Sequence, residues 1–122
     1  MHHIDVHVRN VQDARRFYEA VMTAVGYTLR NADDGYVAFW REGVRPSVGI
    51  ITDGGGTGSG SMRLAFAVAQ RDAVDEAARI AAGCGAKQLE GPSYHPEYGD
   101  DYYAVFFEDP DGNKFEIVLD RA

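Results

Sequence analysis

The sequence predicts an α+β fold made of two βαβββ modules, and three observations predict it. Strand-like alternating segments are followed by amphipathic helices; the order strand, helix, strand, strand, strand occurs twice; and the glycine-rich stretch DGGGTGSGS separates the two occurrences. Module one spans about 1–53, the linker 54–61 and module two about 62–122, a total length suited to a single domain with its own core.

Each element has a local reason. In HIDVHV, Ile4, Val6 and Val8 alternate with His3, Asp5 and His7, the pattern of a half-buried strand. Asn10 then caps a helix through VQDARRFYEAVMTAVG, where Ala14, Phe17, Tyr18, Val21 and Val25 recur at helical spacing and Gly26 supplies the stop. YTLRN, GYVAFWR and SVGIIT complete the module as strands. DGGGTGSGS matches neither G-x-G-x-x-G nor the lysine-bearing phosphate loop, and no amphipathic helix follows it directly, so it reads as a flexible linker. Beyond it come the strand RLAFAV, a helix from about Arg71 to Ala82, and strands at KQLEG, DYYAVFFE and NKFEIVL.

The repeat extends to single residues. YVAFWREGVRPSVGIIT lies on YAVFFEDPDGNKFEIVL without a gap, which sets Gly49 on Glu116, and HIDVHV lies on RLAFAV, which sets His3 on Arg63. The change of offset between these alignments predicts a short insertion before the third strand of module two, including SYHPEYGDD. In the last strand Glu116 shares a face with Lys114 and Val118, while Phe115, Ile117 and Leu119 form the more apolar face. The carboxylate therefore points away from the helices, where it must be solvated, paired or bound. DPDG just before it has proline second and glycine fourth, the chemistry of a turn that sets the register of the last strand; the further oxygen ligands of a calcium loop do not follow.

Composition excludes several classes. A net charge of −7 with scattered basic residues opposes nucleic-acid binding, which needs a cationic face. No apolar run is long enough to cross a bilayer, so no membrane partner is expected. The N-terminus enters a strand without the parts of a signal peptide, which predicts a cytoplasmic protein. Cys84 is alone, so no disulfide or thiolate metal cluster is expected.

HHIDVHVRNVQDARRFYEAV at the start, RLAFAVAQRDAVDEAARIAA after the linker and YYAVFFEDPDGNKFEIV at the end, in this order and spacing, resemble the glyoxalase/bleomycin-resistance/extradiol-dioxygenase superfamily, the vicinal oxygen chelate fold, over nearly the whole chain. The resemblance implies a cup-shaped mixed sheet with helices on its convex side, a homodimer, and a small-molecule ligand or substrate in the cup. Metal-dependent members of that superfamily hold Zn²⁺, Ni²⁺, Mn²⁺ or Fe²⁺ there. Carried over by position, the resemblance implies metal ligands at His3 and Glu116, with Glu116 also the catalytic group. The third ligand position falls on Arg63, and the acid of the glyoxalase I type falls on Gly49.

Arginine changes the chemistry, because a guanidinium offers donors and no lone pair and cannot be a ligand. Arg63 either binds a carboxylate or phosphate of a small ligand or forms an ion pair with Glu116 or Asp5. His7 shares the His3 face, but four rises of about 3.3 Å keep these two from sharing one ion. His95 reaches the cup only where its loop folds over it. Asp5 and His7 read either as ligand contacts or as a polar pair. Tyr94, Tyr98, Tyr102 and Tyr103 suit either a binding lid or ordinary packing, and the facing seen in the superfamily makes Tyr102 and Phe106 pocket walls. Arg63 favours a metal-free cup, either a binding protein of the bleomycin-resistance type or an enzyme with Glu116 as general base. The alternative is a divalent-metal-dependent lyase or dioxygenase using His3 and Glu116.

Overall fold

A computed structural model describes residues 2–52 and 62–121; the linker 54–61 lies outside the described residues. Module one contains β1 (His3–His7), α1 (Val11–Ala24), β2 (Thr28–Ala32), β3 (Tyr36–Arg41) and β4 (Val44–Ile51). Module two contains β5 (Leu64–Val68), α2 (Arg71–Gly83), β6 (Lys87–Tyr94), β7 (Tyr103–Glu108) and β8 (Lys114–Leu119). The strands form two mixed four-stranded sheets, ordered β1-β4-β3-β2 and β5-β8-β7-β6. The α+β fold and the doubled βαβββ order are as the sequence predicts.

The Asn10 side chain accepts a hydrogen bond from the Asp13 amide at 3.0 Å and starts α1, which buries Val11, Ala14, Phe17, Tyr18, Val21 and Met22 along one stripe. Gly26 ends it at φ +92°, a conformation available to glycine at little cost, while the Tyr27 amide returns to the Met22 carbonyl at 2.8 Å. The buried stripe of α2 is Val74, Ala77, Ala78 and Ala81. Small side chains there let α1 and α2 pack closely, at the cost of less apolar area per turn.

The pairing registers test the repeat. Asp5 is the cross-strand partner of Gly49, and Ala65 is that of Glu116, so Gly49 and Glu116 occupy equivalent positions, as do His3 and Arg63. The gapless alignment of the following hairpins needs correction. Ala38 pairs with Gly49 whereas Phe106 pairs with Glu116, so Ala38 corresponds to Phe106 and not to Val105. The two hairpins close differently: β3–β4 has a register shift between Phe39 and Arg41, and β7–β8 turns through a side-chain-bonded loop from Asp109 to Asn113.

A single core joins the modules. It contains the inner residues of both helices together with Val37, Phe39, Val48 and Ile50 of the first sheet and Val105, Phe107, Phe115 and Ile117 of the second. Phe17 meets Phe107 edge-on at 6.2 Å, Tyr18 meets Phe115 at 5.9 Å, and Tyr27 meets Phe66 at 5.6 Å. Each sheet thus gives its apolar face to this shared layer and turns its other face away from it. No helix among the described residues is long and apolar enough to cross a membrane.

A buried carboxylate clamps the arrangement. Asp109 is fully buried and accepts hydrogen bonds from the Tyr18 hydroxyl, the Asp111 amide at 2.9 Å, and the Asn113 amide and Nδ2, both at 2.8 Å. Asn113 Nδ2 also donates to the His7 carbonyl at 3.1 Å, and Arg9 Nε donates to Asp111 at 2.7 Å. The DPDG turn of module two is therefore bonded to β1, to α1 and to the segment between them. Replacing Asp109 by Ala leaves a phenol and several amide donors buried without an acceptor, so urea unfolding should show a loss of about 3 kcal/mol.

Burial, and then the Asp109 carboxylate, push the Tyr18 phenol well above its ordinary value. The folded chain holds this proton where the unfolded chain releases it, so the contribution is complete below about pH 10 and is lost as pH rises above it. The stability difference between the natural protein and Tyr18→Phe should therefore shrink as urea unfolding is repeated above about pH 10. A difference independent of pH there would contradict the raised phenol.

Candidate functional site

The turned-away face of the second sheet gathers most of the candidate residues. Phe106 on β7 is the direct cross-strand neighbour of Glu116 on β8, and Ala65 flanks Glu116 on the other side. The insertion between β6 and β7 folds over them. His95 donates its amide to the Tyr102 carbonyl at 2.8 Å, which closes the loop, and the Tyr98 ring stacks on His95 at 5.6 Å. His95 also meets Phe106 edge-on at 5.3 Å. Tyr102 reaches down from the end of this loop and donates its hydroxyl hydrogen bond to Glu116 Oε2.

Glu116 is thus only 7% exposed, yet satisfied. Its partner is a phenol. The ion pair between Arg63 and Glu116 considered from the sequence does not form, and Arg63 makes none with Asp5 among the described residues. Instead the Arg63 guanidinium lies over the Phe106 ring, 4.9 Å from its centroid. Phe106 fills the space beside Glu116 and gives Arg63 an aromatic face on which to rest.

The electrostatics follow from this geometry. The hydrogen bond to Glu116 is the largest of the effects that raise the Tyr102 phenol to about 12, with Arg63 opposing the rise. At neutral pH the phenol keeps its proton and donates its hydrogen bond. A carboxylate with a phenol beside it and a guanidinium nearby can bind a donor group on a ligand, orient an anionic group, or take a proton from a carbon or oxygen acid.

The four tyrosines divide between two environments. Tyr102 bonds to Glu116 and Tyr98 packs on Tyr102, whereas Tyr94 packs on Tyr103 at 4.8 Å and both rings lie under Arg71, with Tyr103 donating to Asp75 of α2. Packing thus accounts for one pair and the loop over Glu116 for the other. Strand alternation could separate Tyr102 from Tyr103; the role of Tyr98 as the stacking partner of His95 had no sequence signal beyond the density of tyrosines.

His3, Asp5 and His7 sit on the first sheet. His3 Nε2 lies 3.8 Å from Asp5 Oδ2, its ring meets His2, and its side chain is half exposed. A Cβ on Gly49 would collide with Asp5 Oδ1 and would lie 2.7 Å from the Tyr36 hydroxyl, so glycine leaves room there for both side chains. Burial, and next Asp5, raise the Tyr36 phenol. Tyr36 was missed in the sequence; the signal was Gly49, a strand glycine beside Asp5 in register. No hydrogen bond, ion pair or ring contact connects His3, Asp5 or Tyr36 with Arg63, Tyr102, Phe106 or Glu116 among the described residues.

The donor set within one chain does not fit a three-ligand metal centre. Arg63 occupies the position equivalent to His3 and has no lone pair, Glu116 already accepts from Tyr102, and no group of three His, Cys, Asp or Glu side chains among the described residues could hold an ion.

Residues 2–118 match the family model of a Glyoxalase-like domain. The chain belongs to the glyoxalase-like family. It therefore lies within the vicinal oxygen chelate superfamily, and solved structures agree on the fold. A glyoxalase/bleomycin resistance protein from Albidiferax ferrireducens is 22% identical with a TM-score of 0.82, covering 98% of each chain. A glyoxalase/bleomycin resistance protein/dioxygenase family enzyme from Burkholderia phytofirmans is 19% identical with a TM-score of 0.72, over 96% of this chain and 95% of that one. A fosfomycin resistance protein from Mesorhizobium loti is 18% identical with a TM-score of 0.70, over 98% and 91%. No curated protein sequence matches this glyoxalase-like chain.

In this glyoxalase-like protein, Glu116→Gln removes the charge that holds the Tyr102 proton. The phenol should then titrate well below its value of about 12, back toward 10.0, as followed by NMR of isotope-labelled tyrosine. An unchanged titration would mean that Glu116 is not its partner.

Proposed function

We propose that this glyoxalase-like chain binds a small anionic or aromatic molecule on the Glu116 face without a metal ion, Arg63 contacting its anionic group and the Glu116–Tyr102 pair its polar groups. The observation that carries this reading is the division of partners: Glu116 is satisfied by Tyr102, while the Arg63 guanidinium rests on Phe106 with no carboxylate partner among the described residues. An aromatic wall of His95, Tyr98 and Phe106 supports it further, since such walls bury the apolar body of a ligand. Where the bound molecule carries an acidic proton, Glu116 is the base placed to accept it.

The same reading includes a homodimer. The outer face of each sheet turns away from the shared core, and β1 and β5 lie at the sheet edges. A second copy set against them would bring His3 and Asp5 to the rim of the Glu116 site and would cover those edges. Light scattering should give twice the chain mass.

Binding is tested by thermal shift with a panel of aromatic and aliphatic carboxylates and phosphates. The best of them should bind about tenfold or more weakly to Arg63→Ala, the loss of one charge-assisted contact. Protein purified without a metal-affinity column should contain no stoichiometric transition metal. Stoichiometric Zn, Ni, Mn or Fe that disappears in Glu116→Ala would replace this reading with the metal-dependent lyase or dioxygenase.

A further inference from the structure

A second constellation of charge and aromatic surface lies on the first sheet, away from Glu116. Trp40, at the end of β3, has the Arg30 guanidinium over its ring at 4.9 Å from the centroid and that of Arg45 at 5.4 Å. A cavity of about 550 Å³ opens at this place, rimmed by Thr28 and Gly43. That size falls within the range of small-molecule sites. Two register shifts border it, between Leu29 and Asn31 on β2 and between Phe39 and Arg41 on β3. Such bulges re-aim side chains, and here they flank the tryptophan between the two arginines.

The charge at this place is not balanced. Arg45 donates only to the neighbouring Val44 carbonyl, at 3.4 Å, and neither Arg30 nor Arg45 has a carboxylate partner among the described residues. Glu42 lines the same cavity without pairing to either. The second module places an acid at the equivalent position. Thr28 pairs with Trp40 as Lys87 pairs with Glu108, and Glu108 also pairs with Lys114, so there a carboxylate stands in register between two lysines. In module one an indole stands where that carboxylate would be. Two like charges held near one ring repel each other, and in a chain of net charge −7 this leaves a local cationic pocket that an anion would relieve.

We propose that the cavity at Arg30, Trp40 and Arg45 is a second ligand site, which takes a small molecule with a carboxylate or phosphate group on an apolar body. The guanidiniums offer planar donor forks to the oxyanion, held in place by the indole. A polyanion is not the occupant, because the chain as a whole carries a net charge of −7. The proposal is independent of the Glu116 site: its residues belong to the first module and, among the described residues, make no hydrogen bond, ion pair or ring contact with the Glu116 group.

Trp40 is the only tryptophan in the chain, so its fluorescence reports this site directly. Titration with benzoate and with phenyl phosphate should change the emission saturably, and benzyl alcohol, which has the ring without the charge, should not. The two anions also separate carboxylate from phosphate preference. Arg30→Gln and Arg45→Gln, both at exposed positions, should each weaken binding about three- to tenfold, and Arg45→Glu should abolish it, with circular dichroism unchanged. Glu116→Gln and Arg63→Ala should leave the signal as it is. No saturable response to either anion, an equal response to benzyl alcohol, or unaltered affinity in the arginine variants would overturn the proposal.

Discussion

One buried carboxylate ties the last turn of module two to module one. Asp109 has no exposure and receives donors from α1 and from its own turn, and Asn113 carries the bonding onward to β1. A buried charge is tolerable only when its lone pairs are filled, so this group admits little freedom in how the modules meet. Once the turn is fixed to module one, β8 leaves it in a single register. Phe115 and Ile117 then face the core and Glu116 faces the other way. The position of the candidate carboxylate is thus a consequence of a bond network seven residues upstream in the sequence.

The repeat has been put to different uses in its two halves. Each outer face carries a carboxylate with a tyrosine close by, but the acids come from different strands. In the second sheet it is Glu116 beside Ala65; in the first it is Asp5 beside Gly49, with Tyr36 crowding over the glycine. An arginine replaces the histidine of the equivalent strand end, and an indole replaces an acid at the end of the third strand. Each change places a cationic or an aromatic side chain where the other module has a histidine or an acid.

The architecture was legible because it depends on period and order. Alternation in HIDVHV, the stripe of α1, the Asn10 cap and the doubled βαβββ order are local signals, and all of them hold in the structure. The hairpin alignment was off by one residue because aromatic similarity does not see a register shift that depends on turn geometry. At the site, alternation could place Tyr102, Phe106 and Glu116 on one face, but it could not choose between Tyr102 and Arg63 as the partner of Glu116. That choice depends on where an inserted loop comes to rest. Nor could the pattern reveal that Asp109, read as part of a turn, reaches a tyrosine in the other module, since sequence periodicity carries no information on contacts so distant along the chain.

The central claim is that Glu116 is held by a phenol and not by a guanidinium. A double-mutant cycle on stability tests it most directly, with Glu116→Gln combined in turn with Tyr102→Phe and with Arg63→Gln. A coupling of about 1 kcal/mol or more between Glu116 and Tyr102, with none resolved between Glu116 and Arg63, is the predicted result. Strong coupling to Arg63 with none to Tyr102 would contradict it.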